Sequence, residues 1–326
     1  MKKAVSLVVL LLLVASLLAG CSQGQQTTMT LRFGHEMPEG HPYDAAARKF
    51  ADLVAQKSKG RIKVEVYPSS QLGSAKQMNE MVATGQLDFD WTWSGVLESY
   101  DKNLGVIVLP YLFRDWDHVW KVMDGPIGQE LFKGLEQSGI KVIGVGLNGL
   151  DDFFSRVPVQ HPSDIKGLKV RTQQAACISE MMSLMGAVVC PMAMGEVYTA
   201  LQTGAVDGQV QTPTNMVTNK LYEVSKYAVE TQFYYMVQCL TMSKKLYDSL
   251  SPGDRQIILD AAREAVEWQR KYAEEEEAKN VEFMKSPQSG MTWFTADKKE
   301  WETAMSVIYD AHPEWKDMIA RIKAVK

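Results

Sequence analysis

"AKQMNEMVATGQLDFDWTW" (residues 75–93) and "VYTALQTGAVDGQVQ" (residues 197–211) follow one plan. Each contains a helix-like run, then Thr-Gly, then a run rich in β-forming residues. Glycine directly after a helix adopts the left-handed backbone that ends it, so Gly85 and Gly204 are expected to stop two equivalent helices. Strand-like segments precede both, "GRIKVEVYP" (60–68) and "GLKVRT" (167–172). This repeated order of strand, helix, glycine and strand predicts two similar α/β lobes.

Length and composition also favour two folded lobes. The 326 residues exceed one ordinary hydrophobic core and suggest about two domains. A hydrophobic content of 46% with 23% charged residues is typical of a folded, soluble body. The formal net charge of −4 gives no reason to expect a nucleic-acid partner. The protein is expected to be a monomer.

A long helix is predicted for residues 251–285, with Ser251 as N-cap and Pro252 at the first helical position. About 30 residues at 1.5 Å each cover roughly 45 Å, so this helix is expected to span both lobes. The acidic run Glu274 to Glu277 is expected on its solvated face. The first lobe is assigned residues 31–150 plus 240–270, and the second lobe residues 151–239 plus 285–326.

The N-terminus has the pattern of an export signal. "MKKAVSLVVLLLLVASLLAGC" (1–21) places two lysines before an apolar run that is short for a membrane span. Residues 1–20 are therefore predicted to be a signal peptide, and residues 21–30 a flexible tether. Leu18 to Cys21 resemble a bacterial lipobox, which implies membrane attachment through a lipidated Cys21 in a periplasmic or other extracytoplasmic location. The alternative is a soluble exported protein with Cys21 near its cleavage site.

Motifs that would indicate catalysis or a cofactor are not supported by their surroundings. "GVGLNG" (144–149) spells the glycine fingerprint of dinucleotide sites, but no helix is expected after it because Pro158 and Pro162 follow. The five histidines include no HExxH pair, and no serine stands in GxSxG. No enzyme activity, cofactor or metal site is expected, and Cys177, Cys190 and Cys239 show no metal-binding spacing. A secreted hydrolase remains as an alternative, with Asp151, Asp152 or Glu196 as acid and base.

Arg171 is the first candidate binding residue, because it stands at the end of a predicted strand. The carboxyl ends of parallel strands face the crevice in which ligands bind, and a guanidinium there can hold a carboxylate through two hydrogen bonds. A surface arginine at a strand end is the competing interpretation.

Several blocks resemble the solute receptors of tripartite ATP-independent periplasmic (TRAP) transporters, the DctP-like family. They are "GRIKVEVYPSSQLGS" (60–74), "LPYLFRD" (109–115), "IKGLKVRT" (165–172), "GEVYTALQTGAVDGQ" (195–209) and "KLYEVSKY" (220–227). The resemblance implies an α/β two-lobed periplasmic-binding-protein fold with crossed-over sheets and a long helix spanning both lobes. It also implies a receptor that closes by a hinge, delivers its solute to a membrane permease, and binds the solute's carboxylate through Arg171.

Departures from the family pattern bear on which solute is bound. Asp151 stands where many relatives have a second arginine, Gln211 replaces an asparagine, and Met194 replaces an aromatic residue. The other lobe offers Glu36, at a position where relatives touch the ligand, and Trp91 and Trp93, which alternate in a predicted strand. The full set of predicted ligand-binding residues is Arg171, Trp93, Glu36, Asp151, Gln211, Gln174, Trp91, Met194 and Phe233.

Together these side chains predict a monocarboxylate with an amine and an aromatic or apolar body, such as an aromatic amino acid. Arg171 would hold the carboxylate, Glu36 or Asp151 an ammonium group, and a tryptophan the flat body. A C4-dicarboxylate, a sugar acid or an ectoine-like solute is the alternative cargo. The two tryptophans could instead belong to the core, and the two acids to the surface.

Overall fold

The computed structural model describes residues 28–326, and its mixed α/β architecture confirms the predicted fold class. The predicted signal peptide (1–20) and Cys21 lie outside the described residues. Met29 already pairs with Ile62 of a neighbouring strand, and its N–H donates to the Arg61 carbonyl at 2.8 Å. The tether was therefore predicted too long, because residues 29 and 30 belong to the first sheet.

The strands are β1 (Met29–His35), β2 (Ile62–Tyr67), β3 (Phe89–Trp93), β4 (Ile140–Leu150), β5 (Asp152–Ser155), β6 (Lys169–Thr172), β7 (Val188–Pro191), β8 (Gly208–Gln211), β9 (Tyr227–Glu230), β10 (Tyr235–Ser243) and β11 (Thr292–Thr295). The α-helices are α1 (Pro42–Lys57), α2 (Ala75–Thr84), α3 (Trp116–Met123), α4 (Pro126–Lys133), α5 (Ala176–Leu184), α6 (Met194–Thr203), α7 (Pro213–Thr218), α8 (Lys244–Ser249), α9 (Pro252–Lys285), α10 (Lys298–Met305), α11 (Val307–Ala311) and α12 (Lys316–Ala324). Of these helices, all within residues 28–326, none is both long and apolar enough to cross a membrane.

The strands of the described chain form two sheets, and the chain passes from one sheet to the other more than once. The first sheet has the order β2-β1-β3-β10-β4, with β1 parallel to β2 and β3, and β10 antiparallel to β3 and β4. The second has the order β11-β9-β5-β8-β6-β7, with β6 parallel to β7 and β8. The chain passes from the first sheet to the second between β4 and β5, and returns between β9 and β10. The two sheets are therefore crossed over.

Two boundaries differ from the predicted division into lobes. Strand β10 begins at Tyr235, so the chain returns to the first sheet before residue 240. The C-terminal segment, assigned to the second lobe, contributes β11 to the second sheet but also packs on helices that follow the first three strands. Arg321 of α12 donates to Glu130 of α4 at 3.0 Å, and His118 of α3 lies 2.9 Å from the Ile322 carbonyl. Sequence pattern alone does not reveal such long-range packing.

The predicted helix stops are confirmed by the backbone. Helix α2 ends at Gly85 with φ 76°, and α6 ends at Gly204 with φ 76°, both in the left-handed region. Helix α9 has Ser251 as its N-cap, whose hydroxyl accepts a 3.1 Å hydrogen bond from the Asp254 N–H. Any residue other than glycine would adopt the left-handed conformation at residue 85 or 204 only with strain.

The glycines of "GVGLNG" have a packing role. A Cβ on Gly144, Gly146 or Gly149 would come closer than 3.0 Å to Val266, Gln269 or Glu277, respectively, and all three contacts lie on α9. The Gln269 side chain also donates to the Leu147 carbonyl at 2.6 Å and accepts from the Leu147 N–H at 3.1 Å. The motif therefore lets β4 lie directly against the long helix.

Candidate functional site

Arg171 lies near the carboxyl end of β6, between the parallel strands β7 and β8. Its side chain is buried, with 2% of the residue exposed. Nη2 donates to the Met192 carbonyl at 3.1 Å, whereas Nε and Nη1 have no hydrogen-bond partner among residues 28–326. Burying a cation with free donors is costly unless an anion completes its hydrogen bonds. The predicted surface alternative for Arg171 is therefore wrong.

A narrow cavity of about 20 Å³ lies between the two lobes beside this guanidinium. This volume holds about one water molecule and is far below that of open small-molecule sites, so a solute can enter only when the lobes move apart. The first-sheet side contributes residues at the carboxyl ends of β1 and β3, and the second-sheet side residues that follow β6 and β7. The lining consists of Glu36, Ala75, Trp93, Val96, Arg171, Gln173, Gln174, Met192, Ala193, Met194 and Met236.

The charged groups at this cavity are shifted by burial. Burial lowers the pKa of Arg171 to about 10, which still leaves it protonated at neutral pH. Burial raises the pKa of Glu36, with Arg171 acting in the opposite direction, and raises the pKa of Asp151 to about 7. A retained cation beside two acids that tend towards their neutral form suits a ligand with one negative charge.

Asp151 lies behind the cavity lining rather than in it. The residue is fully buried, and its N–H donates to the Tyr234 carbonyl at 3.0 Å. The nearby Tyr234 hydroxyl and Gln173 amide act to lower the Asp151 pKa, although neither carboxyl oxygen has a hydrogen bond of ordinary geometry in the described structure. Asp151 is therefore placed to orient the groups around it.

The remaining predicted residues fall into two groups. Trp93, Met194 and Gln174 line the cavity with Arg171 and Glu36. Trp91, Phe233 and Gln211 are buried but do not line it. The ring of Trp91 packs against Tyr43 with centroids 6.0 Å apart, and the ring of Phe233 packs against Tyr234 with centroids 5.0 Å apart. The Gln211 side-chain oxygen accepts a hydrogen bond from the Asn215 side chain at 2.7 Å. Strand alternation places Trp91 and Trp93 on one face of the sheet. It does not indicate which of the two side chains lies in the core and which lines the cavity.

Sequence reasoning missed several lining residues. Gln173 is the one with a usable signal, because it stands two residues after Arg171 and continues the same strand exit. The other lining residues have no comparable signal in the sequence, because their place at the cavity depends on how the lobes face each other. They are Met192, Ala193, Ala75, Val96 and Met236. In residues 28–326, moreover, no three His, Cys, Asp or Glu side chains are grouped so that they could hold a metal ion.

The acids of the hydrolase alternative do not form a pair of catalytic groups. Asp152 accepts a hydrogen bond from the Gln232 N–H at 2.9 Å, and Glu196 caps the start of α6 by accepting from the Ala193 N–H at 2.9 Å. Both carboxylates accept these bonds from backbone N–H groups, which is a structural role.

A buried polar cluster joins the lobes behind the cavity. The Asn215 side-chain oxygen accepts from Asn148 of β4 at 3.0 Å and lies 2.9 Å from His41 Nε2. His41 Nδ1 accepts from the Tyr43 N–H at 3.0 Å, so Nε2 carries the proton that is donated to Asn215. Burial lowers the pKa of His41 to about 3, which keeps the ring neutral.

Glu277 of α9 fixes the crossing between the sheets. It accepts hydrogen bonds from the Leu150 N–H at 3.3 Å and the Thr214 N–H at 3.1 Å, and also from the Thr214 hydroxyl. Leu150 ends β4, and Thr214 follows β8 in the second lobe. The expectation that the acidic run is solvated is therefore wrong for Glu277, although Glu274 is exposed. The helix turns Glu277 inward, and burial raises its pKa to about 8.

The raised pKa values of buried Asp151 and half-buried Glu277 predict that stability decreases as pH rises towards and above neutrality. The native pKa values, about 7 for Asp151 and about 8 for Glu277, lie above the ordinary values of 3.8 and 4.5. Between those values the native state holds protons that the unfolded chain has released, so the free energy of unfolding falls as pH rises. His41 acts in the opposite direction, but only between about pH 3 and 6.5.

We therefore expect the free energy of unfolding to fall between pH 6.5 and 8, by at most about 1.4 kcal/mol per pH unit for each acid. Glu277→Gln should flatten this slope, and urea unfolding at several pH values measures it. Glu274→Gln, at an exposed position of the same helix, is the matched control. Equal slopes in the two variants would contradict the role given to Glu277.

Comparisons with known proteins agree with this architecture. The family model described as "Bacterial extracellular solute-binding protein, family 7" matches residues 33–314. The 2,3-diketo-L-gulonate-binding periplasmic protein of Escherichia coli (strain K12) is 34% identical over 291 residues, which is 88% of each chain. A TRAP periplasmic solute-binding protein from Polaromonas sp. JS666, bound to D-erythronate, has a TM-score of 0.87 at 31% identity, covering 91% of this chain and 99% of that one. A TRAP protein from Xanthobacter autotrophicus Py2 with bound β-D-galacturonate has a TM-score of 0.86 at 32% identity, covering 91% and 100%.

Proposed function

Because the chain belongs to the family 7 bacterial extracellular solute-binding proteins, the solute receptors of TRAP transporters, we propose that its cargo is a sugar acid. The receptor role places it outside the cytoplasm as a partner of membrane permease subunits, and it is not an enzyme. The resemblance inferred from the sequence is thereby confirmed. Arg171, with two free donors inside the interlobe cavity, is the observation that carries the proposal.

The polar groups around the cavity favour a hydroxylated acid. Gln173 lines it, and the Trp93 indole N–H and Tyr234 hydroxyl lie at or behind its wall, all without hydrogen-bond partners in residues 28–326. Buried polar groups normally have partners, so a ligand that carries several oxygen atoms would complete them. The acids named for the three similar proteins carry several hydroxyl or oxo groups.

An aromatic amino acid is less well supported than this alternative. An ammonium group needs an ionised carboxylate, whereas burial shifts both Glu36 and Asp151 towards their neutral forms. A neutral carboxyl group both donates and accepts hydrogen bonds, which suits hydroxyl groups. A C4-dicarboxylate would require a second cation, and the position of the family's second arginine is occupied by Asp151. We therefore place the sugar acid first.

Binding is proposed to proceed by closure of the lobes. Both lobes line the cavity, so a ligand held by Arg171 from one side and Glu36 and Trp93 from the other stabilises the closed arrangement. The closed surface would then be presented to the permease. Membrane attachment through a lipidated Cys21 stays a prediction, since Cys21 lies outside the described residues.

A thermal-shift series tests the choice of cargo. D-erythronate, D-galacturonate and 2,3-diketo-L-gulonate are compared with L-tryptophan and succinate. A ligand at 100 times its dissociation constant adds about 2.7 kcal/mol of stability, so at least one sugar acid should raise the Tm by several degrees. A shift with L-tryptophan or succinate, and with no sugar acid, would refute the proposal.

A further inference from the structure

We propose that Gln173 is a specificity-determining residue, whose side-chain amide donates a hydrogen bond to an oxygen on the carbon next to the ligand's carboxylate. The inference rests on the proposed function, because it takes a sugar acid held by Arg171 as its starting point. It extends that proposal to a chemical class: acids with a hydroxyl, oxo or ring oxygen at this carbon.

The Gln173 side chain is buried and has nothing to bind in the described protein. It is 7% exposed and lines the cavity, yet neither its oxygen nor its nitrogen has a hydrogen-bond partner within residues 28–326. Its backbone is held in place, because the Gln173 carbonyl accepts from the Ala175 N–H at 2.8 Å. An unpaired buried amide lowers stability, and a hydrogen bond to a ligand oxygen would remove that cost.

The position of Gln173 beside Arg171 is the basis for the ligand atom that we assign to it. Arg171 stands in β6, and Gln173 follows the last residue of that strand, Thr172. Both side chains line the same cavity. With the carboxylate on the guanidinium, the neighbouring amide faces the substituent of the next carbon atom. That substituent must be able to accept a hydrogen bond.

Asp151 and Tyr234 lie close to Gln173 without an ordinary hydrogen bond to it, and we assign them as the residues that position its amide. Tyr234 and Gln173 both come close enough to the Asp151 carboxyl to lower its pKa. Tyr234 itself packs beside Trp93, with ring centroids 6.1 Å apart. A primary amide has two N–H donors, so one can point towards Asp151 while the other points into the cavity. A hydroxyl, an oxo group and a ring oxygen can all accept the second bond.

Calorimetry with two matched ligands tests the inference. D-erythronate has a hydroxyl on the carbon next to its carboxylate, and 3,4-dihydroxybutanoate of the same configuration at carbon 3 lacks only that group. The wild-type protein should bind D-erythronate at least about 10-fold more tightly, because a site built to bond an oxygen rejects the analogue without it. Gln173→Met keeps the volume without the hydrogen bond, and should bind the two within about 3-fold.

Controls separate this role from a general loss of structure. Gln202→Met, at an exposed position of α6, should keep the wild-type ratio. Asp151→Ala should lower the ratio, and Asp151→Asn, which retains an acceptor, should restore it. Equal wild-type affinities for the two ligands, or an unchanged ratio in Gln173→Met, would overturn the inference alone. Failure of the wild-type protein to bind either ligand would overturn this inference, whereas the sugar-acid proposal is overturned only if no sugar acid of the thermal-shift series binds.

Discussion

Arg171→Ala is expected to weaken sugar-acid binding at least about 100-fold, because it removes charge-assisted hydrogen bonds that contribute about 1.5 to 3 kcal/mol each. The loss should appear in calorimetry for every acid that the wild-type protein binds. Without ligand, the Tm should not fall, since Nε and Nη1 of this buried guanidinium have no partners in the described chain and burying an unpaired cation is unfavourable.

Arg171→Lys tests the geometry of the contact separately from its charge. Lysine keeps a positive charge but loses the planar fork, so affinity should fall to a value between wild type and Arg171→Ala. Arg263→Ala is the control, because that side chain is 66% exposed and its partner Asp260 lies on the same helix. Unchanged affinity in Arg171→Ala, or an equal loss in Arg263→Ala, would contradict a carboxylate site at Arg171.

Much of the fold could be predicted because local chemistry decides it. Gly85 and Gly204 stop two helices by a backbone conformation that glycine adopts without strain, and Ser251 with Pro252 begins α9 where predicted. Arg171 could be chosen because it ends a strand within a block resembling a known family. These features depend on a few neighbouring residues, which is why sequence alone indicates them.

Other features depend on contacts between distant segments. The three residues 274–276 and Glu277 look alike in sequence, but only Glu277 accepts hydrogen bonds from the sheet crossing. Trp91 and Trp93 share one strand pattern, yet only Trp93 reaches the cavity. Gln173 was missed although its neighbour Gln174 was predicted. In each case the direction of a side chain follows from how two lobes and a helix meet.

The largest predicted loss of stability outside the ligand site is at Gly149, where β4 meets the long helix. Gly149 is buried with φ +129°, and a Cβ there would come closer than 3.0 Å to the Glu277 carboxyl group. That group cannot move freely, because it accepts hydrogen bonds from the Leu150 and Thr214 N–H groups. Gly149→Ala should therefore strain the backbone and leave buried donors unpaired, at a combined cost of about 3 to 6 kcal/mol.

Gly167→Ala separates the backbone strain from the crowding. Gly167 also has positive φ, at +80°, but a Cβ there would meet nothing within 4 Å. Its replacement should cost about 1 to 2 kcal/mol, the penalty for a left-handed residue with a side chain. Urea unfolding measures both variants. Adding Glu277→Ala to Gly149→Ala removes the carboxyl group that the new methyl would meet, so the double variant should lose less than the sum of the two single losses. Two results together would contradict this argument: similar losses in Gly149→Ala and Gly167→Ala, and additive losses in the double variant. The position of the Glu277 carboxyl group would then not require glycine at residue 149.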